Sequence, residues 1–143
     1  MNNPKMNRTS EGTAFEAVTA IILLTELATA CLRPSVLPLD IVLPTCIVMS
    51  ATAVLLLIIA YYPNSNLINI PVKRDPTNYV QMMLVSRLSR ILAVLCALMN
   101  GAIILSILPN HTHSGNIMMI AASIAMVGII AYYTHRIRQT GKR

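Results

Sequence analysis

The chain alternates between long apolar runs and short polar connections. Four runs rich in Leu, Ile, Val, Ala and Met cover residues 14–32, 41–61, 88–108 and 117–134. Each run is 18 to 21 residues long, and a helix needs about 20 residues to cross a hydrocarbon layer of about 30 Å. Because lipid offers no partner to the open edge of a short sheet, each run predicts a helix. The predicted fold is all-α, a four-helix transmembrane bundle that forms one domain over residues 1–143.

Composition supports this prediction. Of the 143 residues, 55% are hydrophobic and only 11% are charged, whereas soluble domains carry about 25% charged residues. A soluble fold of this length could not bury so much apolar surface, but a membrane protein does not have to bury it. The composition therefore favours a multi-pass membrane protein, and the lipid bilayer is the partner that it predicts.

Basic residues are concentrated at alternate connections. Ten of the 11 Lys and Arg residues lie before the first run, between the second and third runs or just inside the third, and after the fourth; the exception is Arg33. Cytoplasmic loops carry an excess of Lys and Arg. Both termini and the loop over residues 62–87 are therefore predicted to be cytoplasmic.

Four of these basic residues form a candidate cytoplasmic basic loop: Lys73, Arg74, Arg87 and Arg90. Their simplest interpretation is as topology signals that lie at the anionic leaflet. Specific recognition of a lipid or a protein by the same residues is the alternative.

The first run also resembles a signal peptide. An apolar stretch precedes Ala28, Ala30 and Cys31, which resemble a small-residue cleavage site followed by a lipoprotein cysteine. Glu26 lies within the cleavage region and argues against processing. Cleavage after Ala30 stays open as an alternative that would remove one helix and leave the orientation of the others unchanged.

Three polar residues inside the runs form a candidate intramembrane polar cluster: Glu26, Asn100 and Ser123. A charge at the depth of Glu26 costs at least a few kcal/mol, so this side chain should be protonated, hydrogen-bonded inside the bundle or directed outward. Asn100 and Ser123 occupy similar depths in the third and fourth runs. The cluster is either interhelical hydrogen bonding that fixes the packing or a proton or substrate site.

Other polar and small residues have structural interpretations. Thr13 and Glu16 match a capping box at the start of the first helix. Small residues recur at helical spacing in the third and fourth runs and predict seams of close packing, within one chain or between copies of it: Ala93, Ala97 and Gly101, and Ala121, Ala125 and Gly128.

The sequence gives little support for a catalytic or ligand-binding site. His111 and His113 lie in a predicted outer loop without a nearby Cys, Asp or Glu to complete a zinc site. The three cysteines lack paired metal or redox spacing. We therefore expect no catalytic, cofactor-binding or metal site, no enzymatic activity and no nucleic-acid partner.

The polar connection between the second and third runs has local signals of its own. Pro63 is predicted to end the second helix, and Asp75 and Pro76 match an N-cap and a first helical residue. From Thr77 onward an amphipathic lead-in continues into the third run.

This connection carries a resemblance to a known family. Over about thirty residues, from Tyr62 to Leu92, the chain resembles small bacterial integral membrane proteins of a family of unknown function that is related to peptide-toxin immunity proteins. The matching positions are Tyr62, Pro63, Pro71, Val72, Lys73, Pro76 and Asn78. The Pro-x-His-Phe element of that family is absent from the first outer loop, which reads RPSVLPLDIVLP. The resemblance implies a bacterial inner membrane and immunity or signalling by binding.

Three functions are compatible with the sequence. The first is a non-enzymatic membrane protein that binds a peptide or protein partner within the bilayer. The second is a small proton-coupled transporter that uses Glu26, although the aromatic residues expected around such a carboxylate are absent. The third is an accessory subunit of a larger membrane complex, or a homo-oligomer, which the small-residue seams permit.

Overall fold

The chain folds into four long helices. The computed structural model describes residues 7, 9–32, 39–63, 78–108 and 110–140, apart from the side chains of Leu39 and Ile41. The helices are α1 (Ser10–Leu32), α2 (Leu39–Tyr61), α3 (Tyr79–Ile107) and α4 (Thr112–Thr140). All four are long and apolar enough to cross a membrane, and the described residues contain no strand. The predicted all-α transmembrane bundle is confirmed.

The helices extend beyond the apolar runs that predicted them. α1 begins four residues before the predicted position 14, and α4 covers 29 residues instead of the predicted 117–134. A 29-residue helix is about 44 Å long at 1.5 Å per residue, which exceeds about 30 Å of hydrocarbon. The apolar pattern marks the lipid-facing part of each helix, whereas the backbone hydrogen bonds continue into polar residues on either side.

The structure shows where α3 and α1 begin, and the start of α1 predicted at Thr13 is wrong. The N-cap of α3 is Asn78, whose side chain accepts a hydrogen bond from the Gln81 amide at 3.2 Å. The predicted start at Asp75 and Pro76 falls outside the described residues, before that cap. α1 is capped by Thr9, whose hydroxyl accepts from the Gly12 amide at 3.1 Å. Several residues near each helix start can act as caps, so local sequence alone did not decide which one does.

α3 is the central helix of the bundle. It packs along α2, α4 and α1, whereas α1 and α2 barely touch and α4 reaches neither of them among the described residues. Half of the α3 side chains are buried, whereas only a small share of the side chains described in each of the other helices is buried. A small apolar cluster of Val42, Ile104 and Leu108 joins α2 to α3 at one end of the bundle. At the other end Leu84 and Val85 pack against Ile137 of α4.

Helix α1 has the reverse of a soluble amphipathic pattern. Its buried residues are Gly12, Thr19 and Glu26, which are small or polar and seven residues apart. Its large apolar side chains are exposed, including Ile21, Leu24, Leu27 and Leu32. A helix in lipid has no hydrophobic reason to bury its leucines, and small or polar residues allow close packing instead. The pattern supports a membrane location for α1.

Helices α3 and α4 approach each other closely at Gly115. A Cβ atom at this position would lie 2.4 Å from the Ser106 amide nitrogen and 2.8 Å from the Ala102 carbonyl oxygen. Ala122 continues the buried face one heptad later. The seam predicted at Ala121, Ala125 and Gly128 does not form this contact within the chain: Ala121 and Gly128 are exposed, and a Cβ at Gly128 would meet nothing within 4 Å. Its alternative, packing between copies of the chain, stays a prediction.

The connection between α3 and α4 is short. The His111 amide donates to the Leu108 carbonyl at 3.1 Å, and Asn110 has a φ of 68°. Asn tolerates this left-handed conformation better than most residues. The turn reverses the chain and places α4 antiparallel to α3.

One end of the bundle collects the N-termini of α1 and α3 and the C-termini of α2 and α4; we call it the basic end. Arg87 of α3 pairs with Glu11 of α1 at 2.7 Å. Gln81 donates from its side chain to the Ile137 carbonyl at 3.2 Å, and Asn78 donates to the Thr140 carbonyl at 3.4 Å. These bonds satisfy carbonyls at the C-terminus of α4 that have no partner within that helix. The side of the membrane that this end faces stays a prediction.

We expect the close approach at Gly115 to be necessary for the bundle. Gly115→Ala should lower the free energy of unfolding by about 1–3 kcal/mol, because the added methyl group meets α3 backbone that cannot rotate away. Gly128→Ala is the matched control on the same helix, and it should leave stability unchanged or raise it by up to about 1 kcal/mol. Thermal or denaturant unfolding in detergent micelles measures both. Equal stability of the two variants would contradict the observed packing.

Candidate intramembrane site

Two of the three residues of the predicted polar cluster meet in the structure. The side-chain amide of Asn100 donates to Glu26 Oε2 at 2.7 Å. Glu26 is 8% exposed and Asn100 is 1% exposed. Both residues lie nearer to the end of the bundle opposite the basic end, within the spans of α1 and α3. This hydrogen bond joins α1 to α3 within the spans, far from the Glu11–Arg87 ion pair that joins the same helices at the basic end.

The third residue of the predicted cluster lies elsewhere. Ser123 is exposed on α4, and its hydroxyl donates to the Met119 carbonyl within the same helix at 2.8 Å. The structure therefore does not bring Ser123 to the other two residues of the predicted cluster, and Met118 is the α4 residue that lines a groove together with Glu26 and Gly101. α4 turns Ala122 toward α3 instead, so Ser123 faces away from the Glu26–Asn100 pair.

Glu26 reaches Asn100 because α3 has a glycine beside it. A Cβ atom at position 101 would lie 2.7 Å from Glu26 Oε1, so any larger residue would displace the carboxyl group. The predicted α3 seam thus has a specific use at Gly101, which is to make room for a polar side chain. The adjacent Ala97 is fully buried in the same helix.

The pair retains unused hydrogen-bonding capacity. Glu26 Oε1 and Asn100 Oδ1 are both buried, and neither accepts a hydrogen bond from any residue that the structure describes. The helical amide of Gly101, next to Oε1, belongs to the hydrogen-bond ladder of α3. Unpaired buried acceptors are uncommon, because each one loses its bonds to water without replacement.

A crevice of about 390 Å³ opens between α1 and α2 above this pair. Glu26 and Asn100 line it together with Cys46 and Ser50 of α2, and its remaining walls are apolar. They consist of Leu23, Leu27, Ala30, Val42, Leu43 and Ile47. The crevice exists because α1 and α2 both pack on α3 and barely touch each other. Its volume falls in the range of small-ligand sites, about 300–1,000 Å³.

A second groove of about 320 Å³ lies on the other side of α1. It is lined by α1, by Gly101 and its apolar neighbours on α3, and by Met118 of α4. Glu26 lines this groove as well as the crevice. The Glu26 side chain therefore borders open space on both sides of α1.

The four residues of the predicted basic loop do not share one environment in the structure. Lys73 and Arg74 lie outside the described residues. Arg87 is half-exposed and forms the ion pair with Glu11 described above, as a residue in the headgroup region can. Arg90 is only 4% exposed. Its burial does not fit a simple topology signal, which would lie at the membrane surface.

Arg90 belongs to a second polar cluster, at the basic end, that sequence reasoning missed. Its guanidinium group lies 5.5 Å from the ring centroid of Tyr61 and packs against Gly12, where a Cβ would lie 2.5 Å from the Arg90 Cζ atom. The Tyr61 hydroxyl donates to Glu16 Oε1. The capping box predicted for Thr13 and Glu16 is therefore wrong, since Glu16 joins α1 to α2 instead of reaching back along its own helix.

We expect the Glu26–Asn100 hydrogen bond to contribute measurably to stability. Glu26→Leu should lower the free energy of unfolding by about 1 kcal/mol, because it leaves the Asn100 amide without an acceptor; such bonds average about 0.6 kcal/mol within membranes and reach about 1.7. Glu26→Gln keeps an acceptor for Asn100 and should change stability by less than about 0.5 kcal/mol.

A double-mutant cycle with Asn100→Leu, measured by unfolding in micelles, isolates the contribution of the pair. Ser123→Leu is the control at a polar residue of α4 that faces outward, and it should leave stability nearly unchanged. A coupling free energy of zero between positions 26 and 100 would show that the bond contributes nothing.

Comparison with known proteins assigns no family to this arrangement. No protein-family model matches the chain, and neither a curated protein nor a solved structure matches it. The resemblance of the segment from Tyr62 to Leu92 to immunity-related membrane proteins therefore stays a prediction. Of its matching positions, Tyr62, Pro63 and Asn78 lie among the described residues, where Pro63 follows the end of α2 and Asn78 caps α3.

Proposed function

We propose that this integral membrane protein is a non-enzymatic binding protein that recognises a peptide or protein partner within the bilayer, at the crevice between α1 and α2. The observation that supports this function is an apolar crevice with two buried acceptors at its floor that have no partner among the described residues. Lipid tails contain no hydrogen-bond donors, so the acyl chains of the bilayer cannot satisfy Glu26 and Asn100. A membrane-embedded partner with a donor can.

The architecture favours a helical partner. α1 and α2 diverge on either side of α3 and present exposed apolar side chains along the rims of the crevice, among them Leu27, Leu43 and Ile47. Helices in membranes associate through packing and a few interhelical hydrogen bonds. A partner helix in the crevice would pack against α1, α2 and α3. It would cover α3 on this side, as α4 does on the other side.

The proposal is tested by filling the crevice. A library of 20-residue apolar helices with one variable central residue is selected for association with the protein in a two-hybrid assay that reports within a membrane. Ser50→Leu places a large side chain in the crevice and should reduce the signal of selected helices by about tenfold or more. Ser123→Leu makes the same change on the exposed face of α4 and should leave the signal unchanged.

Failure to select any helix would refute the proposed function. Selection of helices that bind the wild type and Ser50→Leu equally would place their contact outside the crevice and would refute its assignment to this site. Folding of both variants is checked by helicity and monodisperse elution in detergent.

A second function, a small proton-coupled transporter, is favoured by one observation. Glu26 lines both the crevice and the groove on the opposite side of α1, so one acidic side chain borders two openings. In this hypothesis Glu26→Gln abolishes pH-dependent uptake by proteoliposomes, since the amide cannot take up and release the proton. Uptake that is absent from the wild type, or unchanged in Glu26→Gln, would eliminate the transporter hypothesis and leave partner binding.

A further inference from the structure

The floor of the crevice has the chemistry of a site for a positively charged group. Glu26 and Asn100 line the crevice, Glu26 Oε1 and Asn100 Oδ1 are buried without a hydrogen-bond partner among the described residues, and Ser50 adds a hydroxyl to the same lining. None of the residues described as lining the crevice is Lys, Arg or His. The nearest cations along α3, Arg87 and Arg90, lie at the basic end with Glu11 and Tyr61. The carboxyl group of Glu26 therefore lacks a counter-ion at its own depth among the described residues.

We propose that the crevice recognises a primary ammonium group, carried by a lysine within an otherwise apolar transmembrane segment of the partner. This inference rests on the proposed function and adds the group that is recognised. An ammonium has three N–H donors, and the crevice lining offers three acceptor groups in Glu26, Asn100 and Ser50. Pairing with a cation also offsets the cost of a carboxylate in hydrocarbon.

The walls of the crevice favour lysine over arginine. The lysine side chain has a long apolar stem that packs along apolar surface while its charged end reaches a polar group, and the crevice walls supply that surface. A guanidinium group carries five donors in a fixed plane. Three acceptor groups would leave some of these donors buried without partners, at a cost in free energy. Helices with Lys should therefore bind more tightly than helices with Arg.

The experiment uses the full-length protein in phosphatidylcholine vesicles and three labelled 21-residue Leu/Ala peptides. They carry Lys, Arg or Leu at one position whose depth matches Glu26, and binding is followed by energy transfer from a label on the protein. We expect the Lys peptide to bind about tenfold more tightly than the Leu peptide, with the Arg peptide between them.

Matched variants locate the recognition. Glu26→Gln keeps an acceptor for Asn100 and should reduce the affinity for the Lys peptide about tenfold, to that of the Leu peptide. Glu16→Gln makes the same change on the same helix at the basic end and should leave peptide binding unchanged. Ser50→Ala removes one acceptor without adding volume, and should weaken binding of the Lys peptide about threefold with no effect on the Leu peptide.

The outcomes separate the inference from the proposed function. Equal binding of all three peptides would overturn ammonium recognition and leave a helix-binding crevice. Binding of none would overturn both proposals. Equal affinity of wild type and Glu26→Gln for the Lys peptide would overturn the assignment to this site. If labelled dodecylamine binds in a Glu26-dependent way and no peptide does, the site takes a small lipophilic amine and the transmembrane partner is refuted.

Discussion

In hydrocarbon a polar side chain must find its partner inside the protein, and this constraint organises the bundle. The hydrogen bond between Glu26 and Asn100 ties α1 to α3 in the half of the bundle away from the basic end. At the basic end, Glu11 pairs with Arg87, and Glu16 accepts from Tyr61 beneath Arg90. α1 is therefore attached at both ends by polar contacts, while its leucines and isoleucines face outward.

The second consequence is an incomplete bundle. α3 is surrounded by three helices that do not close around it, because α1 and α2 barely meet and α4 contacts neither among the described residues. In water such an arrangement would expose too much apolar surface to be stable. In lipid that surface costs little, so an open crevice between α1 and α2 can persist. The crevice matters for function because polar groups lie at its floor.

The proposed binding of a lysine-bearing helix joins these two features. An acceptor pair within a span is costly unless it is satisfied, and a crevice whose lining contains no Lys, Arg or His among the described residues leaves a place for a cationic donor. Pairing of an ammonium group with Glu26 and Asn100 would then supply both affinity and specificity. An apolar helix gains packing alone, whereas a helix with one ammonium group also gains hydrogen bonds to these two residues and charge pairing with Glu26. Packing by itself would discriminate poorly between one apolar helix and another.

The sequence by itself determined the number of helices, their approximate spans and the placement of nearly all basic residues at alternate connections. It did so because apolar length and charge are properties of a segment, and lipid responds to them directly. It also identified Glu26 and Asn100 as polar residues at one depth. Depth follows from counting residues at 1.5 Å per residue.

Only the tertiary structure decided which faces meet. Ser123 lies on the exposed side of α4, and the face of α4 that packs against α3 contains Gly115 and Ala122, whereas Gly128 is exposed. Glu16, which matches a local capping pattern, bonds to a tyrosine 45 residues away. In a helix that is apolar on every side the sequence has no amphipathic face to indicate direction. The rotation of each helix is set by close contacts with α3, and these depend on residues from other segments of the chain.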